Sequence, residues 1–144
     1  MDAEIIIVGD EILIGQIADT NSGWISRELN REGFSVRRVT VVADCQEQIC
    51  EALASSLSRA DVVLITGGLG PTGDDVTLKA LCGFFQSKLI FSPEVYHAIE
   101  NVLSAMGESM NEPNRLQAYV PEKCIPIQNL TGTAPACWFE KDGK

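Results

Sequence analysis

The chain has 144 residues, 45% of them apolar and 22% charged, which describes one ordinary globular domain with its own core and excludes a disordered or low-complexity segment. The 11 basic and 20 acidic side chains leave a net charge of −9. That balance argues against nucleic acid or an anionic membrane as a partner, because either would need a basic face. Residues 4–8, Glu-Ile-Ile-Ile-Val, read as a continuous β-branched run before Gly9, the pattern of a strand buried on both faces. Residues 20–32 have helical period, with Trp24, Ile25 and Leu29 on one face, Thr20, Asn21 or Ser22 available as a cap, and Gly33 as the stop.

Residues 34–42 predict a second strand, placed nearer an edge by Arg37 and Arg38. A helix over 46–57 follows, striped by Ile49, Leu53 and Leu57. Residues 61–66, Asp-Val-Val-Leu-Ile-Thr, predict a third buried strand, and residues 75–85 a further helix. Strand and helix alternating at this spacing imply right-handed crossovers and a mainly parallel α/β sheet. Pro93 opens a helix to about Met106, and residues 108–119 predict a short helix after a break at Gly107. Short strands are expected over 124–127, which contains Pro126, and over 137–140, with a turn-rich loop at 129–135 between them. Asp142-Gly143 is a hairpin turn signal.

The five cysteines, Cys45, Cys50, Cys82, Cys124 and Cys137, show neither C-x-x-C nor zinc-finger spacing. Reduced thiols in a cytoplasmic protein are expected. No secretory leader and no run of transmembrane length is seen. His97, the one histidine, falls on a helix away from the strand ends and is expected to be structural. No serine has a plausible histidine base, which argues against a Ser-His-Asp hydrolase.

The segment Thr66-Gly67-Gly68-Leu69-Gly70-Pro71-Thr72-Gly73-Asp74-Asp75 lies between a buried strand and a helix. Ligands of open α/β sheets sit at the carboxyl ends of the strands. Three glycines in four residues let the backbone approach a ligand and turn its amides toward an anion, and the following helix adds its own N-terminal donors. The spacing is neither Walker A nor a dinucleotide fingerprint. Asp74 and Asp75 would repel a bare phosphate, whereas a divalent cation between them reverses that interaction. Alternatively, Asp74 caps the helix, or Thr72 and Asp75 form a capping box. Asp10 and Glu11 after the first strand, and Asp44 after the second, are expected on the same rim. Together these acids form a candidate site for a metal and an activated water.

Four segments in order, Gly9-Asp10-Glu11-Ile12-Leu13-Ile14-Gly15, Asp19-Thr20-Asn21-Ser22, residues 66–75 and Gly132-Thr133-Ala134-Pro135, closely resemble the N-terminal domain of CinA, the competence/damage-inducible proteins. The resemblance runs from residue 3 to the last residue. It implies a three-layer α/β/α sandwich similar to the molybdopterin-binding proteins MoaB and MogA and to the matching domain of gephyrin, often oligomeric. It also implies a phosphate held by the loop Thr66, Gly67, Gly68, Leu69, Gly70, Pro71 and Thr72, with Asn21, Gly132, Thr133 and Ala134 as further ligand contacts. Asp75 and Asp44 match the functional acids of the molybdopterin proteins. Asp10, Glu11, Asp74 and Asp75 are the candidate ligands of magnesium, manganese or cobalt.

The activity implied is metal-dependent cleavage of ADP-ribose at its pyrophosphate. The alternative is a non-catalytic module that binds molybdopterin or a nucleotide, or that oligomerises. The amidase domain that deamidates nicotinamide mononucleotide in CinA proteins is not in this sequence, so that activity is not expected of it. The family pattern runs past Lys144 with a strand and a Pro-Gly loop, so a single domain shortened at its C-terminal end is expected. Cys137 stands where the family often has glycine.

Overall fold

The computed structural model describes residues 1–69 and 76–144. The chain divides into two units, Met1–Gly68 with Asp142–Lys144, and Leu69–Lys141. In the first unit β1 (Asp2–Val8) is the middle strand, parallel to β2 (Ser35–Val42) on one side and β3 (Val62–Thr66) on the other. Its run of isoleucines requires this place. Ile5, Ile6 and Ile7 are at most 1% exposed, so both faces of the strand lie under cover. β2 is an edge, with Arg37, Arg38 and Val39 in solvent, as its arginines predict.

Helices α2 (Asn21–Arg31) and α3 (Gln46–Arg59) supply the two crossovers. One connection steps from β1 to β2 and the other passes back over β1 to β3, so right-handed connections put the helices on opposite faces. α3 buries Ile49, Leu53 and Ser56. Helix α2 buries no residue completely, and Trp24 is 59% exposed, so the expected shared face extends to a side chain that stands in solvent. The cap also differs from expectation. Thr20 is already helical in its backbone, and the Asp19 carboxylate takes the Ser22 N–H at 3.0 Å. Capping therefore begins one residue earlier than read.

A polar group lies inside this unit. Glu4, on β1, is 3% exposed and is clasped by Arg59 from the end of α3, with Nε to Oε1 at 2.9 Å and Nη2 to Oε2 at 2.8 Å. This fork matches both carboxylate oxygens. The Arg59 bond, aided by Ser56 and Arg38, outweighs burial and holds the Glu4 carboxyl below its usual range.

The second unit contains α4 (Val76–Phe84), β4 (Leu89–Phe91), α5 (Pro93–Ala105), α6 (Glu112–Leu116), β5 (Tyr119–Pro121), β6 (Ile125–Ile127) and β7 (Ala136–Trp138). β4 pairs with β5 and β6 with β7, both antiparallel. Val95, Ile99 and Leu103 of α5 pack with Ala118 and Val120 as its core. Ser92 caps α5 ahead of Pro93, and Asn111 caps α6. Residues 108–119 are helical only within α6, and Tyr119 opens a strand. His97 lies on the surface, 3.4 Å from Glu100. Asp142 and Gly143 form a turn and both have positive φ, 54° and 79°; no strand pairs across it among the described residues.

Candidate functional site

The carboxyl ends of the three parallel strands carry the candidate groups of the first unit. β1 runs through Gly9 into the one-turn helix α1 (Asp10–Leu13), an element too short to show in the sequence periodicity. The Gly9 N–H donates to the Val42 carbonyl at 3.1 Å, carrying the β1–β2 ladder one step past the strands. Asp10 and Asp44 then lock the two ends together. The Asp10 N–H donates to Asp44 Oδ2 at 2.9 Å, and the Asp44 N–H donates to Asp10 Oδ1 at 3.2 Å. Each bond engages one oxygen of its carboxylate. Glu11 folds back over Gly9, where an added Cβ would lie 2.8 Å from Glu11 Oε1.

At the end of β3, Thr66, Gly67 and Gly68 are half-buried and Leu69 is exposed. Gly67 and Gly68 both take positive φ, 97° and 61°. A Cβ on Gly67 would collide with the Val8 carbonyl oxygen. Glycine is therefore required by space as well as by conformation, and the turn is pressed against the end of β1. Asn21, the first residue of α2, is exposed. Beside it the Asp19 carboxyl sits below its ordinary range. Burial pushes it up, and the bonds from the Ser22 side chain and from the Ser22 and Asn21 N–H groups outweigh that.

The expected loop residues Gly70, Pro71, Thr72, Gly73, Asp74 and Asp75 lie outside the described residues. The structure brings together two of the expected acids, Asp10 and Asp44. Among the described residues no three His, Cys, Asp or Glu side chains gather as a metal-ligand group. In the second unit Gly132, Thr133 and Ala134 are half-buried in the loop between β6 and β7. Asn129 organises that loop, its Oδ1 taking the Thr131 N–H at 3.0 Å and the Thr131 hydroxyl at 3.2 Å. Gly132, Thr133 and Pro135 line a small cleft with Val95 and Ile99 of α5. The sequence reading missed the Asn129 anchor, whose signal is the Asn-x-Thr spacing of a side chain that bonds two residues ahead.

These features define a parallel α/β domain that gathers a glycine turn and a locked acidic pair on the carboxyl rim of its sheet. The family model described as "Probable molybdopterin binding domain" matches residues 4–141, and the chain belongs to that family. A CinA-like protein of Cytophaga hutchinsonii is 45% identical over 141 residues, covering 98% of this chain and 34% of that protein. A competence-damage inducible protein of Caldicellulosiruptor saccharolyticus is 44% identical over 144 residues, covering 100% of this chain and 35% of that protein. The chain thus spans about a third of the length of the curated relatives it matches.

The crystal structure of CinA from Thermoplasma acidophilum, described as of unknown function, superposes with a TM-score of 0.85 at 35% identity, covering 99% of this chain and 83% of that one. MogA superposes with a TM-score of 0.56 at 27% identity, over 71% of this chain and 66% of that one. The fold is therefore that of CinA and MogA, a parallel sheet flanked by helices, as the motifs implied. No helix among the described residues is long and apolar enough to cross a membrane.

Proposed function

We propose that this domain binds a phosphorylated nucleotide at the turn after β3 and, with a divalent cation, hydrolyses an ADP-ribose-type pyrophosphate to AMP and ribose 5-phosphate. The observation that carries the reading is the reciprocal Asp10–Asp44 pair on the same rim as the positive-φ glycine turn after β3, a backbone form common at anion sites. The rim's carboxylates are hard oxygen donors, the chemistry magnesium or manganese prefers. When bound, the cation neutralises phosphate charge and polarises the phosphoryl oxygen, with Asp10 and Glu11 the described residues to hold it and Asp74 and Asp75 the further ones. Asp44 orients the attacking water and takes its proton. Asp75 is the second functional acid carried over from the resemblance.

The test is incubation of the purified chain with ADP-ribose, with and without magnesium, manganese or cobalt, following AMP. Metal-dependent AMP release that Asp75→Ala abolishes is the expected result. Release unchanged in that variant removes Asp75 from the site, and no release from folded protein with any of the metals overturns hydrolysis.

A second reading has its own support in the family description. The same turn then holds the phosphate of a pterin without turnover, and saturable binding of molybdopterin with no bond cleavage distinguishes it. Fold alone does not choose between the two. In either case we propose an oligomer in solution, which size-exclusion chromatography with light scattering measures.

A further inference from the structure

Cys124 and Cys137 meet across the β6–β7 hairpin. The register pairs Pro126 with Cys137, and Cys124 sits at the bend just before β6, its side chain half-buried like that of Cys137. Burial alternates to match. Cys124, Pro126, Cys137 and Phe139 are half-buried, whereas Ile125, Ile127 and Trp138 are exposed. The inner face is firmly seated, with Cys124 packed against the Val95, Ile99 and Leu103 core and Phe139 stacked on Phe85 at 4.2 Å between ring centres. The two thiols are hydrogen-bonded to each other. Burial pushes the Cys124 thiol up, and this bond from Cys137 draws it back. None of the five cysteines is in a disulfide.

We propose that Cys124 and Cys137 are a reversible redox pair that closes to an intramolecular disulfide by exchange with a small-molecule disulfide such as oxidised glutathione. One cysteine, as thiolate, attacks a sulfur of the oxidant and expels one glutathione thiolate, leaving a mixed disulfide. The second cysteine attacks the protein-side sulfur and expels the other glutathione. Two electrons pass from the protein thiols to the oxidant, and the two protons end on the two glutathione molecules. The bond would close a ring around the loop that carries Asn129, Gly132, Thr133 and Ala134, so oxidation would restrain that loop. The inference stands apart from the proposed hydrolysis and is read without it.

Lys123 and Lys141 bracket both cysteines with no Lys or Arg between them, so one tryptic peptide, residues 124–141, reports the pair. The native chain is treated with oxidised glutathione, remaining thiols are alkylated, and the peptides are weighed. The expected peptide 124–141 is two hydrogens lighter than its dithiol form and carries neither glutathione nor alkyl group. In Cys137→Ser the same peptide should stop at one glutathione adduct. Two alkyl groups or two glutathione adducts on the peptide from folded protein would overturn the proposal. Oxidation should also raise Tm by about 10 °C, as closing a loop of this size does; a fall in Tm would mean that the bond distorts the native hairpin, and would equally reject it.

Discussion

Asp10 and Asp44, 34 residues apart, each accept the other's backbone N–H through a carboxylate oxygen. The bonds fasten the chain leaving β1 to the chain leaving β2, so each residue has a structural duty besides any chemical one. The Asn variants separate the two. Asp44→Asn keeps an oxygen acceptor for the Asp10 N–H and should leave the melting temperature near that of the parent. Under the proposed hydrolysis it should lose about 100-fold in metal-dependent AMP release, the usual worth of a positioned base. Asp44→Ala should lose both, with about 1 kcal/mol of stability gone. Denaturant titration beside the AMP assay reads the pair, and an Asp44→Asn variant of full activity would leave Asp44 with the structural duty alone.

Gly67 and Gly33 make a controlled comparison. Both have positive φ, 97° and 85°, but a Cβ on Gly33 meets nothing within 4 Å while one on Gly67 strikes the Val8 carbonyl oxygen. Gly33→Ala should cost about 1 kcal/mol, the conformational term alone. Gly67→Ala should cost at least about 3 kcal/mol or fail to fold, since backbone has to move. Urea melts of the two variants test the ranking.

Glu4 gives the stability a pH signature. Its bond to Arg59 holds its pKa below the ordinary glutamate value of 4.5, so the stabilisation is fully present above about pH 4.5 and disappears as pH falls through the folded value. A Glu4→Gln variant should lack this part of the acid dependence, and its stability curve should run flatter than the parent's below about pH 4.5. Parallel slopes would show that Glu4 has no part in it.

Asp19 predicts a cap effect. Asp19→Ala removes the acceptor of the Ser22 N–H and should cost about 1 kcal/mol, whereas Asp19→Asn should cost a few tenths. Thr20→Ala should be nearly silent, because the structure finds no side-chain cap bond from Thr20.

The parallel sheet was legible because its strands are written as continuous β-branched runs, the pattern of Ile5, Ile6 and Ile7. The order β2-β1-β3 followed less directly, through Arg37 and Arg38 marking an edge. What escaped the sequence was short or relational. α1 is a single turn. β4 has three residues, and its partner β5 lies beyond two helices, so neither carries a period of its own. Capping went to Asp19 because the backbone of Thr20 turns helical, and residue type alone does not show that. Asp10, Glu11 and Asp44 were picked out by their positions after strands. That two of them bond each other reciprocally depends on how the strand ends align. The ion pair of Glu4 with Arg59 went unread because a lone Glu opening an apolar run resembles a strand end in solvent.

The middle strand of the parallel sheet also precedes both of its partners in the chain. Ile5 to Val8 emerge as one of the most apolar segments of the protein, yet their hydrogen-bond partners are Val39 to Val42 on one side and Leu64 to Thr66 on the other. During synthesis β1 therefore stays unpaired until β2 has followed it, and is enclosed only after β3 arrives. For that interval an aggregation-prone strand is exposed. A growing chain halted between residues 42 and 66 would present one open edge of β1, which makes that window the place where chaperone capture and misassembly compete with folding.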